Sequence, residues 1–281
     1  MAESQTLPLR DTRSDITLAG GEPFFQPFAA QLPFLRAKDP NVFLWGDRGG
    51  GKSYLARMFA HGKAMSHAGF KYIIIRRSYP ELLKTHCFFL HEEMQRLGGE
   101  KNGLTYNKSE HICYYPKGSA GFYYQCDSDE DVRKVLGAEA ALVIFDEAPE
   151  LEFSWMAEIK ASIRVPKASG FIPMARYLGN PFGPSIDDLW RYFIDKDVDP
   201  AEDEDYNPAD WRAIKLVLAD NPHLDPALYR KQFSGIQNTA KLRAWRDGER
   251  TIDKALFTLK PYHVIDTLPL FEGHPLIQGV Y

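Results

Sequence analysis

Cysteine is scarce in this chain, and its placement suits neither a cross-link nor a metal. Cys87, Cys113 and Cys126 are the only three in 281 residues, and no two stand in a C-x-x-C spacing. This excludes a disulfide framework and fits a reducing compartment. His111 and Cys113 could share a metal, but no second pair has suitable spacing, so they read as core or surface residues. No apolar run is long enough to span a membrane, and the N-terminal stretch does not read as a secretory signal. Positive charge is not in excess. The net charge is −4, which excludes a generally basic nucleic-acid coat and confines any DNA contact to a local surface. Internal repeats and low-complexity tracts are also missing.

What is present suits one large α/β domain with a small appendage. Residues 1 to about 20 are polar and aperiodic and read as an arm. Apolar, β-prone runs then recur at Val42-Trp45, Tyr72-Ile75, Ile112-Tyr115, Phe122-Cys126, Ala141-Phe145, Arg176-Gly179 and Ile214-Leu218. Helical patterns lie between several of them. Leu83, Cys87, Leu90, Met94 and Leu97 recur at four- and three-residue steps before a Gly98-Gly99 stop. Trp155, Met156, Ile159 and Ile163 form a second stripe. This alternation predicts a mostly parallel sheet with helices on its faces. The carboxylate-rich segment from Asp195 to Asp210 reads as a solvated loop. Asp225-Pro226 predicts a helix start, and Gly248 a helix end.

One segment carries the strongest chemical signal. Gly46-Asp47-Arg48-Gly49-Gly50-Gly51-Lys52-Ser53 follows an apolar strand and precedes a helical pattern. It reads G-x-x-x-x-G-K-S, a phosphate-binding P-loop in its required context. Gly46, Gly49, Gly50 and Gly51 let backbone N–H groups turn inward around an anion, and the helix N-terminus adds a positive dipole end. Lys52 would reach the β- and γ-phosphates of ATP, and Ser53 would ligate Mg²⁺. The alternative is a glycine turn that binds nothing, which leaves Lys52-Ser53 without a purpose.

A second signal reaches Asp146, 93 residues beyond Ser53. The apolar run Ala141-Leu142-Val143-Ile144-Phe145 ends in Asp146-Glu147. Asp146 would hold Mg²⁺, directly or through water, and Glu147 would orient the water that attacks the γ-phosphate. Arg48, inside the loop, could stabilise charge in transit as a finger in cis, or point to solvent. Gln31, preferred over Gln26, could read the adenine edge, or sit on a helix surface. Asn180 could sense the γ-phosphate or the attacking water, or belong to an ordinary Asn-Pro turn.

Together these segments resemble the large terminase subunit of tailed bacteriophages, the motor ATPase that packages DNA. The matching pieces are FQPFAAQLPFL, FLWGDRGGGKS, IIIRRSYPELLKTH, VLGAEAALVIFDEAPE, YLGNPFGP and DNPHLDPALYRKQFSGIQNTAKLRAWRDGE. They run in the family's order from about Phe24 to about Phe257. The resemblance implies a P-loop α/β fold with a mostly parallel central sheet flanked by helices and a small C-terminal lid subdomain. The expected divisions are an arm over 1–23, an ATPase core over 24–210, a lid over 211–260, and a linker with a truncated nuclease start over 261–281. It places Gln31 at the adenine contact, Asn180 in the motif coupling hydrolysis to motion, and Arg48 in the phosphate loop. Arg76 and Arg77 fall in a segment that would face DNA or a neighbouring subunit, or form a surface cation pair. Arg133 is a candidate finger acting in trans within a ring.

The resemblance also implies ATP and Mg²⁺ as cofactors. The implied partners are double-stranded DNA, a portal protein, a small terminase subunit and further copies of the chain in a homo-oligomeric ring. The expected location is the host cytoplasm, transiently on the procapsid. DNA contact would be through phosphates, salt-sensitive and sequence-blind. One departure stands out. Only Pro275-Leu276-Ile277-Gln278-Gly279-Val280-Tyr281 looks like the opening of the family's nuclease domain, without its acidic residue, so no DNA cleavage is expected of this chain. Two rival readings stay open. A helicase- or repair-type ATPase would need a second lobe for which the chain has no room. A nucleotide-binding assembly switch with negligible hydrolysis is opposed by Glu147.

Overall fold

The computed structural model describes residues 24–165 and 167–250. These residues belong to one compact unit. The expected arm over 1–23, the end of the expected lid from residue 251, and the expected linker and nuclease start lie outside the described residues.

Every predicted apolar run contains or overlaps a strand. The strands are β1 (Asn41–Trp45), β2 (Lys71–Arg76), β3 (Thr105–Asn107), β4 (Ile112–Tyr114), β5 (Ala120–Gln125), β6 (Leu142–Asp146), β7 (Met174–Gly179) and β8 (Trp211–Lys215). They form one eight-stranded sheet in the order β3-β4-β5-β2-β6-β7-β1-β8. From β5 to β8 all neighbours are parallel, and β3 and β4 add an antiparallel flank. The helices are α1 (Leu32–Arg36), α2 (Lys52–Ser66), α3 (Tyr79–Leu82), α4 (Phe88–Arg96), α5 (Asp129–Val135), α6 (Phe153–Ser162), α7 (Ile186–Trp190), α8 (Pro226–Lys231) and α9 (Thr239–Asp247).

Parallel strands need crossovers, and these cover both faces of the sheet, so Tyr72 to Ile75 of β2 and Leu142 to Phe145 of β6 are continuously buried and apolar rather than alternating. Val42, Leu44, Tyr72, Ile74, Ile144 and Leu178 enter one core with α2 and α4 residues. Phe43, Ile73, Ile75, Val143, Phe145 and Tyr177 enter the other with α6 residues. Both predicted stripes pack as expected: Cys87, Leu90, Met94 and Leu97 on the first side, Met156, Ile159 and Ile163 on the second. All three cysteines are free and buried. The Leu83 stripe is not one regular helix, because a π-helical turn over Leu83–Cys87 separates α3 from α4.

The C-terminal segment differs from the expected division. Trp211–Lys215 is the edge strand β8, paired in parallel with β1 from Asn41↔Trp211 to Trp45↔Lys215. The sheet thus extends past residue 210, because Trp211 and Ile214 are buried against the core. The segment that follows β8 begins with Leu216, whose N–H donates to the Trp45 carbonyl at 2.8 Å. Asp225 caps α8, accepting from the N–H groups of Ala227 and Leu228, and Gly248 ends α9 in a left-handed conformation. Asp195 closes a π-helical turn over Arg191–Asp195, and the rest of the segment to Asp210 contains no regular element apart from a short turn of helix at Pro208–Asp210.

Candidate nucleotide-binding site

The functional candidates converge because of strand register. Trp45 of β1 stands beside Gly179 of β7, and Leu178 beside Asp146 of β6. The C-terminal ends of these parallel strands therefore align, and the residues just beyond them meet at one crevice. A cavity of about 310 Å³ opens there, lined by residues that include Arg48, Lys52, Ser53, Arg76, Glu147 and Asn180. That volume is at the lower end of small-molecule sites.

The loop from Gly46 to Gly51 wraps the N-terminus of α2. Gly46 has φ 148°, and a Cβ there would lie 2.0 Å from the Leu216 carbonyl oxygen. Glycine is therefore required for the loop to cross the strand-to-216 connection. Gly51 sits in the left-handed region, where it redirects the chain into α2. The C-terminal segment holds the loop from behind. Asp47 accepts from the Leu218 N–H at 2.5 Å, and Asn221 donates to the Gly49 carbonyl at 2.7 Å. Arg48 donates its backbone N–H to the Trp245 carbonyl at 2.8 Å, and its guanidinium stacks 3.3 Å from the Trp245 ring centre. Tyr229 of α8 packs on the loop beside Gly49.

Lys52 is buried, and its Nζ donates to the Asp47 carbonyl at 2.6 Å and to Asn180 Oδ1 at 3.0 Å. Burial pushes its pKa down, opposed by the charges of Glu147, Asp47 and Asp146. The Asn180 amide donates in turn to Glu147, at 3.4 and 3.5 Å. Asn180 can bridge the two because β7 lies between the strand of the phosphate loop and the strand of the acidic pair. Glu147 takes a left-handed backbone conformation, φ 56°. Such a conformation is costly for a residue with a Cβ and tends to persist where function over-determines it. Burial and the neighbouring Asp146 charge raise its pKa.

Asp146 is the most heavily hydrogen-bonded carboxylate of the site. Ser53 Oγ donates to its Oδ1 at 2.9 Å, while Arg76 at 2.5 Å and His86 Nε2 at 2.9 Å meet its Oδ2. Burial raises its pKa, but the His86 hydrogen bond and the Arg76 charge outweigh this and hold it well below the usual carboxylate range. Ser53 Oγ and Asp146 are hard oxygen donors side by side, with a single carboxylate. That set fits Mg²⁺, which binds through one or two carboxylates and takes its remaining oxygens from water and phosphate. Among the described residues no cluster of three or more His, Cys, Asp and Glu side chains forms a metal site, His111 and Cys113 included.

The structure thus brings together Gly46, Arg48, Gly49, Gly50, Gly51, Lys52, Ser53, Asp146, Glu147 and Asn180. Gln31 is buried, and its amide nitrogen lies 3.7 Å from where a Cβ on Gly51 would be. Its Oε1 accepts from the Phe28 N–H at 3.3 Å, which fixes the side chain beside the loop. Arg133 stands apart, exposed on α5 and outside the cavity lining. Arg76 corrects the sequence reading. It does not face outward with Arg77; it enters the cleft from the end of β2 and binds Asp146, with Glu147 at 4.0 Å. Arg77 alone is the surface cation, paired with Asp127 at 3.0 Å. The strand end separates the two, since Arg76 is the last residue of β2 and Arg77 lies just past it. His86 and Tyr229 were missed altogether, because neither lies in a phosphate or carboxylate motif.

Comparison with protein-family models and with curated proteins finds no match. Solved structures do match. The Thermus phage P74-26 large terminase ATPase domain aligns over 81% of this chain and 95% of its own, at 15% identity and TM-score 0.61. The large terminase of a thermophilic bacteriophage aligns over 78% of this chain and 53% of its own, at 15% identity and TM-score 0.59. The chain has the fold of a large-terminase ATPase domain. The HK97 bacteriophage large terminase gives the same result, at 12% identity and TM-score 0.51 over 84% of this chain and 49% of its own. The chain spans about half the length of the two full-size large terminases and nearly all of the isolated ATPase domain. The full-size terminase of the thermophilic phage has also been solved with ADP and with ATP-gamma-S. No helix among the described residues is long and apolar enough to cross a membrane.

Proposed function

We propose that this chain is the ATP-hydrolysing part of a DNA-packaging motor of the large-terminase type. The observation that carries the reading is the chain of contacts from Lys52 through Asn180 to Glu147, at the aligned ends of three parallel strands. It joins the group that would hold the γ-phosphate to the carboxylate that would orient water, with an amide between them able to register both.

The residues divide the work by position. Backbone N–H groups of Gly49 to Ser53 and the α2 N-terminus cradle the phosphates, Lys52 pairs with their outer oxygens, and Gln31 fixes the base. Ser53 and Asp146 would hold Mg²⁺, which when bound neutralises phosphate charge. Glu147 accepts a hydrogen bond from the attacking water and aligns it. Arg76 and Arg48 are two cations able to turn toward the phosphates, Arg76 from Asp146 and Arg48 from Trp245. Asn180 passes the state of the cleft to β7. The lid role falls to residues after Lys215, supported by their three polar contacts with the loop.

Double-stranded DNA, a portal, a small terminase subunit and a ring of copies are the partners this reading calls for, in the host cytoplasm and on the procapsid. Arg133 would serve in trans, consistent with its exposure on α5. The test is turnover of ATP with Mg²⁺, with and without double-stranded DNA, beside Glu147→Gln. Turnover that rises with DNA and is lost in the variant, while ATP still binds, supports the motor. Binding without turnover, at protein concentrations where rings form, replaces it with a nucleotide-operated assembly switch.

A further inference from the structure

Asp146 Oδ2 has two donors of unlike character. Arg76 lines the open cleft, is 12% exposed, and has two further acidic neighbours, Glu81 at 3.4 Å and Glu147 at 4.0 Å. It can change partners without leaving the site. His86 is fully enclosed, does not line the cleft, and has Asp146 as its acceptor. Its Nδ1 is buried without a hydrogen-bond partner. The ring therefore spends its one resolved hydrogen bond on the carboxylate, donating from Nε2 with Nδ1 as a bare acceptor.

The backbone that carries His86 is unusual. It lies in the π-helical turn Leu83–Cys87, a geometry rare in proteins and concentrated at functional sites. The turn is itself braced. Arg57 of α2 donates to the Thr85 carbonyl at 2.7 Å, and its other nitrogens are fixed on Glu93 of α4 at 2.9 to 3.1 Å. One helix thus begins with the phosphate loop and, one turn on, supports the turn that aims His86. Phosphate cradle and carboxylate are positioned from the same element.

We infer that His86 is a positioning residue that fixes the rotamer of Asp146, keeping Oδ1 toward Ser53 and the cation when Arg76 turns away. This rests on the reading of the cleft as a Mg²⁺-nucleotide site. An acceptor oxygen held by an immobile donor leaves the other oxygen presented in one orientation, and such supporting contacts matter to metal affinity.

The test uses the full chain with His86→Leu, which removes the donor at similar bulk, and His86→Gln, whose amide can reach the same oxygen. Mn²⁺ binding in the presence of ATP-gamma-S is followed by electron paramagnetic resonance, nucleotide binding is measured in EDTA, and kcat and KM for ATP are measured with Mg²⁺. In His86→Leu we expect Mn²⁺ binding weakened about 10- to 100-fold and kcat lowered, with nucleotide binding in EDTA unchanged. His86→Gln restores most of both. If the Leu variant fails to fold by circular dichroism, His86→Asn, too short to reach, replaces it against the Gln variant. Native Mn²⁺ affinity in the variant without a donor overturns the inference, as does an equal loss in the Gln variant. Asp146→Asn separates this from failure of the wider reading. If it too leaves Mn²⁺ binding unchanged, the cleft holds no metal and both fall; if it weakens binding while His86→Leu does not, only the role of His86 falls.

Discussion

The two sides of the sheet are both closed to water, yet they are built from different chemistry. The side that carries α2 and α4 is threaded by a polar network. Arg57 pairs with Glu93 there, His61 hydrogen-bonds Glu93 at 3.1 Å and Tyr115 at 2.6 Å, and Tyr72 joins Tyr115 and Tyr123 at 2.6 and 2.9 Å. The opposite side packs aromatic rings against one another, edge to face or tilted. Phe193 lies 5.5 Å from Phe43, 5.1 Å from Tyr177 and 4.9 Å from Trp211. Rings packed this way supply burial without directional demands beyond their edges. A network of buried donors and acceptors fixes distances and angles. The phosphate loop and the turn bearing His86 are rooted on the polar side. The difference teaches that the phosphate loop and the His86 turn are braced by directional polar contacts on one face, while the other face is closed by ring packing.

Four substitutions would break or sharpen that contrast. Glu147→Gln touches the site itself, and turnover should fall about 10²- to 10⁴-fold with the melting temperature little changed; steady-state kinetics and calorimetry check both. Phe193→Ala removes a buried ring from the aromatic side. Unfolding in denaturant should show a loss of about 3–5 kcal/mol, with activity per folded molecule retained. If kcat falls instead, the aromatic side also shapes the site.

Glu93 gives the polar side a pH signature. Burial alone would raise its pKa, but the hydrogen bond from His61 and the Arg57 charge lower it from 4.5 to about 2. The unfolded chain therefore binds more protons between those values, and stability must fall as pH drops through that window. Glu93→Gln should lose that slope, worth about 3 kcal/mol for a group this buried, in denaturant titrations from pH 6 toward about 2. A native slope in the variant would move the acid sensitivity elsewhere. The smallest effect belongs to Trp245→Ala, which frees Arg48 from its stacking partner. We expect about 1 kcal/mol of lost stability and a changed KM for ATP, without the large fall in kcat of Glu147→Gln.

Much of this was legible in the chain itself. The spacing of Gly46 to Ser53, the acids at the end of an apolar run, the stripe from Cys87 to Leu97 and the cap at Asp225 are local patterns. Each is decided by residues a few positions apart, where backbone geometry and hydrogen-bond reach are fixed by the covalent chain. For that reason the P-loop, the strands and the helix ends stand close to where the pattern placed them.

Other features needed the fold. The assignment of Trp211–Lys215 to the sheet depends on β1 offering a free edge, which no local pattern encodes. The entry of Arg76 into the cleft follows from its place at the end of β2, and Arg77, just past that end, shows how one position reverses the outcome. His86 reaches Asp146 across 60 residues of sequence, through a π-helical turn that no periodicity announces. The sequence determined which groups are available for phosphate and metal chemistry, because their spacing is local. Only the tertiary structure decided which of the remaining cations and donors meet them, because burial and strand order set those distances.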